Sequence, residues 1–391
     1  MGKRNSLISR LSLGLSVSES AEAAAYQKEK LRLTIASIAV GFAYMTVMAF
    51  AGGWWLDRLV QPLSAGNRWL ELLGVAGLFA AGAELVGLPL SFYSGFVVEH
   101  RYQLSTQTPG GWIVKQLKMY ALALAMGAPL IAGLYAILWT TPAYWWLVAA
   151  AGWLAVTVVL GQIFPVFVVP LFYKVTPLAD EALIARLKAI AAGTGLRVTE
   201  VARLGLSKET RKANAMLSGM GATKRVMLGD TLVDNFQPEE IEVVFAHEVG
   251  HYVHHHVVKG IIGSSVVTLA GFLVCDLVLK SAAPALGHTS FAAPSALPLL
   301  MLVLSVFSLA MGPIQNGVSR HFERQSDWYA LERTRNPEAY KAAFSRLATL
   351  NKAELDPARL TVIMFYTHPP IAERLAMADT WGRTRSRSPK A

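Results

Sequence analysis

The sequence predicts a mainly α-helical, polytopic membrane bundle of about six spans that carries a cytoplasmic α+β domain. Three observations lead there. Of the 391 residues, 53% are hydrophobic and only 16% charged, with mean hydropathy +0.40, against roughly 25% charged in an average soluble domain. That composition excludes disorder and a coiled coil. Six stretches are long enough to cross a bilayer, which takes about 20 mostly apolar residues. The lone cysteine, Cys275, excludes a disulfide framework and a cysteine-rich zinc ribbon.

In chain order the predicted spans are 33–53, 69–92, 118–140, 143–172, 260–279 and 296–319. The first is free of charge. The second contains Glu84, the fourth is interrupted by Pro165 and Pro170, and the sixth is expected to bend at Gly312-Pro313. Such residues are tolerated where a helix faces protein or a water-filled cavity, so Glu84 reads either as a chamber-facing group or as an interhelical hydrogen bond. The domain plan is an N-terminal arm (1–32), a four-span membrane domain (33–172), a polar segment (173–259), a two-span hairpin (260–319) and a second polar segment (320–391).

Charge orients the bundle. Arg58, Arg68 and Lys280 are 3 of the 36 basic residues and stand in the loops 54–68, 141–142 and 280–295; nearly all the others lie on the opposite side. Trp54, Trp55, Trp69, Trp139, Trp145 and Trp146 cluster at the base-poor boundary, as an interfacial belt does. The termini and both polar segments are therefore expected in the cytoplasm. The formal net charge of +10 is then a topological signal rather than a nucleic-acid footprint, and no nucleic-acid partner is expected. Met1-Gly2 fits a myristoylation pattern by chance more readily than by function, and the basic tail 382–391 reads as a solvated extension that could touch anionic lipid.

The polar segment 173–259 reads as helix over 182–192, strand over 197–204, 213–220 and 224–228, and helix again after Pro238-Glu239-Glu240. That last helix carries the chemistry: His247-Glu248-Val249-Gly250-His251. At i and i+4 the two imidazoles share one face and can meet a single Zn²⁺. Glu248, beside the first, can take a proton from the attacking water and return it to a leaving amine. A third His six residues past the second is absent, because Val257 stands there. His254, His255 and His256 read as a solvated or headgroup-facing run. The stronger third ligand is Glu323, with Asp327 one turn on placed to orient a ligand histidine; a solvated Glu–Asp face is the alternative for that pair alone. The segment 320–391 reads mainly as helix, broken at Asn336-Pro337, Asp356-Pro357 and His368-Pro369-Pro370.

His-Glu-x-x-His, followed after two apolar spans by Ser319-Arg320-His321-Phe322-Glu323 and Asp327, resembles the integral-membrane gluzincins. It is most similar to the type I CAAX prenyl endopeptidases and more distantly to HtpX-like proteases. The 88–99 stretch with Tyr102, Asn214-Ala215 with Gly219 and 224–232, and His368-Pro369-Pro370 with Arg374 carry the resemblance from about Leu88 to Arg374. It implies a helical chamber above a zinc metalloprotease domain of gluzincin type. Asn214 and Ala215 would lie on an edge strand that pairs with the extended substrate. His368 would donate to the oxyanion, and Arg374 would support the site carboxylates. Eukaryotic members have a further N-terminal span and a longer last loop; six spans and a short 281–295 loop suggest a bacterial inner-membrane member, and put a prenylated substrate in question.

The expected protein is thus a zinc metalloendopeptidase acting on membrane-associated or lipidated chains, or in membrane-protein quality control. A helix unbroken from Glu239 into the span at Gly260 would set the metal only about 14 Å below the bilayer. A transporter or lipid-binding protein with a structural zinc, and an inactive scaffold, are the rival classes; neither gives Glu248 a purpose.

Overall fold

The computed structural model describes residues 17–196, 201–218 and 225–386. The myristoylation pattern at 1–6, Gly219, Lys224 and the tail beyond Ser386 lie outside them. Helix α1 (Val17–Val47) runs through a π turn into α2 (Gly53–Ser64). Helix α3 (Arg68–Phe92) passes a second π turn into α4 (Val98–Arg101). Next come α5 (Pro109–Thr140), α6 (Trp145–Ile163) and, past a third π turn holding Pro165, α7 (Val169–Phe172). Strand β1 (Val175–Pro177) and α8 (Glu181–Ala191) precede β2 (Val201–Leu204), β3 (Ala215–Ser218) and β4 (Arg225–Gly229). The chain continues through α9 (Asp230–Val233), α10 (Pro238–Val253), α11 (His256–Ala285) and α12 (Leu297–Thr334). It ends with α13 (Pro337–Leu350), α14 (Arg359–Phe365) and α15 (Ile371–Ser386).

Local chemistry explains most of these boundaries. Asn67 accepts from the amides of Trp69 and Leu70 at the start of α3, and Asp180 from Leu183 N–H at the start of α8. Pro238 occupies the first turn of α10, where its missing N–H costs nothing, and Glu240 reaches back to the Gln237 amide. All six predicted spans are present as span-length apolar helices. Pro165 sits in a π turn rather than a break, and α12 stays one helix across Gly312-Pro313.

Two large hydrophobic clusters dominate the core among the described residues. Trp145, Tyr135, Leu72, Leu279 and Leu300 form the first, between spans. Near it, Arg58 stands over Trp54 and Arg68 over Trp139 at the base-poor end of the bundle. The second core unites chain segments far apart in sequence: Leu187 of α8, Phe245 of α10, Tyr340 and Phe344 of α13, and Trp381 of α15. Against it lies a four-stranded sheet ordered β1-β2-β4-β3, with β2 and β4 parallel and the other pairs antiparallel. β3 is an edge.

The base-rich ends of the spans touch this second body. Glu99 accepts from Tyr26 Oη at 2.7 Å and pairs with Lys212 at 2.8 Å and Lys30 at 3.1 Å. Ser105 and Thr210 form a β-bridge. In the bundle, Glu84 lines a cavity of about 650 Å³ with Tyr44, Ser91 and Ser94, and interacts with Tyr120.

One expectation fails here. The zinc-motif helix does not run unbroken into the fifth span: it ends at Val253, and His255 adopts left-handed backbone (φ 55°, ψ 34°) before α11 begins. No glycine or proline marks the break, which is why the sequence conceals it.

Candidate metal centre

Helix α10 presents His247, Glu248 and His251, and α12 presents Glu323 and Asp327. Gly250 is what allows the two helices to meet. A Cβ there would stand 2.9 Å from Ser326 Cα and 3.2 Å from its carbonyl oxygen, both backbone atoms that cannot swing aside. Through that contact His247 Nε2 comes to 3.2 Å from Glu323 Oε2, and His251 Nε2 to 3.3 Å from Glu323 Oε1. The two Nε2 atoms are 3.2 Å apart.

The donor set fits a tetrahedral divalent cation. Bonds of about 2.0–2.1 Å at the tetrahedral angle require donors about 3.3 Å apart. The tautomers agree with that fit. His247 Nδ1 lies 2.9 Å from Asp327 Oδ1, so this nitrogen carries the proton and Nε2 offers a lone pair. Glu323 Oε2 is buried with no hydrogen-bond donor among the described residues. Two lone pairs and an unpaired carboxylate oxygen facing one point repel unless a cation lies between them. Among the described residues, His247, His251 and Glu323 are the group that could hold one.

The surroundings set the charge. Burial alone would push the His247 pKa down, but the Asp327 and Glu323 carboxylates lift it to about 9, the field of a site that attracts positive charge. Arg374 offsets part of it. It is buried, donates to Asp327 Oδ1, stands 4.0 Å from Glu323 Oε2 and lies 3.7 Å above the Phe344 ring. His368 has its Nε2 3.5 Å from Glu323 Oε1, while Thr367 Oγ1 lies 2.9 Å from its Nδ1. The Thr367 hydroxyl can donate to Nδ1, an arrangement that places the ring proton on Nε2, facing the site. Burial also lowers the His368 pKa, which favours the neutral imidazole over the cation.

Glu248 Oε2 accepts the Leu217 amide at 3.3 Å, so the edge strand itself touches the carboxylate. Two cavities meet at His247, Glu248 and His368. One of about 520 Å³ extends past Asn214, Ala215 and Phe344; the other, about 640 Å³, past Tyr252, Val258 and Phe322.

All nine residues singled out from the sequence therefore converge, with one adjustment. Asn214 precedes β3, and its carbonyl is taken by Gly229 N–H at 2.9 Å. Because backbone polarity alternates along an antiparallel strand, Ala215 and Leu217 turn their polar groups to the open edge instead. The histidine run also needs correction. His256 is buried at 4% exposure, not solvated, and its Nδ1 lies 3.0 Å from His251 Nδ1. Sequence reasoning missed His256, Gln325 and Gly250; the glycine inside the metal motif was the one visible signal.

The chain is similar to known proteins. Residues 7–174 match the family described as CAAX prenyl protease N-terminal, five membrane helices, and residues 177–382 match peptidase family M48. Among the described residues the first region holds four span-length helices, one fewer than that description. The chain is 32% identical over 317 residues to an uncharacterized metalloprotease of Bacillus subtilis, YhfN, covering 80% of this chain and 74% of that one. It is 30% identical over 324 residues to CAAX prenyl protease 1 of Saccharomyces cerevisiae, covering 78% and 71%. The crystal structure of S. mikatae Ste24p matches with TM-score 0.84 at 26% identity, over 93% of this chain and 90% of that one.

Proposed function

The chain belongs to peptidase family M48, and from that premise we propose that His247, His251 and Glu323 hold one Zn²⁺ for hydrolysis of membrane-associated or lipidated proteins. It is an integral-membrane metalloendopeptidase. The observation that carries the site assignment is the 3.2–3.3 Å donor triangle with Glu248 adjoining it. Bound there, Zn²⁺ would supply Lewis-acid activation of the attacking water and of the scissile carbonyl.

The chain's own residues supply the rest. An extended substrate would add to the sheet beside β3, its backbone paired with Ala215 and the Leu217 carbonyl, with Asn214 at the start of the groove. Glu248 would accept the proton of the attacking water and deliver it to the departing amine. Its bond to Leu217 ties the base to the strand that sets the substrate register. His368 Nε2–H would donate to the carbonyl oxygen as charge develops. Asp327 would keep His247 in its ligand tautomer, and Arg374 would hold Asp327 ionised.

The names CAAX prenyl protease 1 and Ste24p borne by similar proteins support CAAX-type lipidated chains as one substrate class; clearance of membrane proteins is the second. The basic-residue asymmetry supports an orientation in a bacterial inner membrane with the centre on the cytoplasmic side. A transporter with a structural zinc would leave Glu248 idle.

The deciding experiment pairs Glu248→Gln with His247→Ala in purified protein. Glu248→Gln should keep about one zinc per chain and lose at least 10²- to 10⁴-fold in peptide cleavage. His247→Ala should lose the metal. Turnover retained by Glu248→Gln would overturn the assignment of the base.

A further inference from the structure

The histidine run after the metal motif contains a residue with no assigned task. In a straight helix, residues five apart point about 140° away from each other, so His251 and His256 could not meet. They do meet because His255 turns left-handed, a conformation uncommon outside glycine, and redirects the chain between α10 and α11. The contact is Nδ1 to Nδ1 at 3.0 Å. On its other side His256 places Nε2 2.9 Å from Gln325 Oε1, and its ring stacks on Phe322 at 4.3 Å and 10°.

We infer that His256 is the positioning residue for His251, holding it in the tautomer and orientation that aim Nε2 at the cation. The inference rests on the zinc reading above. If His251 Nε2 is a ligand, it is unprotonated and its Nδ1 carries the hydrogen. That N–H can then donate only to an unprotonated His256 Nδ1, which puts the His256 proton on Nε2, where Gln325 Oε1 accepts it. Each donor meets an acceptor along the whole chain, and α12 supplies the terminal group. The two ligand histidines are thus backed differently. His247 leans on a carboxylate neutralised by Arg374, whereas His251 leans on a neutral imidazole and an amide. Outer partners of this kind typically govern metal affinity by about 10- to 100-fold.

The test uses the full-length protein in detergent and measures zinc affinity by competition with a chromophoric chelator. His256→Phe keeps an aromatic ring against Phe322 but removes the acceptor; His256→Asn returns an acceptor near the Nδ1 position. Zinc affinity should fall about 10- to 100-fold in His256→Phe and recover substantially in His256→Asn, and the visible bands of Co²⁺-substituted His256→Phe should shift. Gln325→Leu, which leaves His256 in place, should lower affinity by a smaller factor and provides a second route if the Phe variant misfolds. Wild-type affinity in both His256→Phe and Gln325→Leu would overturn the inference, as would equal loss in the Phe and Asn variants. If wild-type protein itself bound no zinc, the metal assignment would fall and take this inference with it.

Discussion

A histidine ligates metal only through an unprotonated nitrogen, so the chemistry at the residue scale is decided by what the other nitrogen touches. Asp327 settles this for His247 at 2.9 Å, because a carboxylate only accepts, while the Thr367 hydroxyl beside His368 Nδ1 is compatible with a proton on Nε2. The sequence carried the identities of these residues plainly, since His-Glu-x-x-His on a helix and an acid pair at i, i+4 each have few other uses together. It did not carry Thr367 or His256, whose value depends on where a ring points. If His368 presents its Nε2–H to the site, as the proposed mechanism requires, it should act mainly as charge develops on the carbonyl oxygen. His368→Ala should therefore lower kcat by about 10²- to 10³-fold while leaving KM and zinc content near wild type. Steady-state kinetics on a quenched peptide would check this, and an unchanged kcat would remove His368 from the chemistry.

At the scale of elements, the site is a contact between two helices and the edge of a sheet. Gly250 lets α10 approach α12, and a methyl group there would strike the Ser326 backbone. Gly250→Ala should part His247 and His251 from Glu323, lose most of the zinc, and destabilise the protein by about 1–3 kcal/mol. Gly260→Ala is the control, because open space surrounds that position. Metal analysis and thermal melting of both variants would check the pair; full zinc in Gly250→Ala would show that α10 tolerates displacement. The edge position of β3 has a similar logic. Short, with Leu217 given to Glu248, it leaves few free backbone groups to pair wrongly with another chain. Neither the backbone that Gly250 packs against nor the strand order was legible beforehand, since periodicity reports a face and not its partner.

For the whole molecule, the soluble body is assembled from two segments separated by a transmembrane hairpin, and the spans reach it through Glu99 and Ser105. Orientation in the bilayer is testable because Cys275 is fully buried. In a Cys275→Ser background, Ser290→Cys and Lys208→Cys should react with an impermeant maleimide from opposite faces, Lys208→Cys only once the cytoplasmic face is opened. Labelling of both from the outside would refute the topology.

Composition and spacing alone determined the number of spans, the helical class and which residues are candidates for metal ligands and base. Bilayer thickness and coordination chemistry leave few alternative uses for such patterns. Tertiary structure alone decided that His255 breaks the helix, that His256 turns inward, that Ala215 rather than Asn214 faces the open edge, and that α10 and α12 touch at Gly250. Each of these depends on contacts between residues distant in the chain or on a single backbone angle. Local pattern carries no record of either.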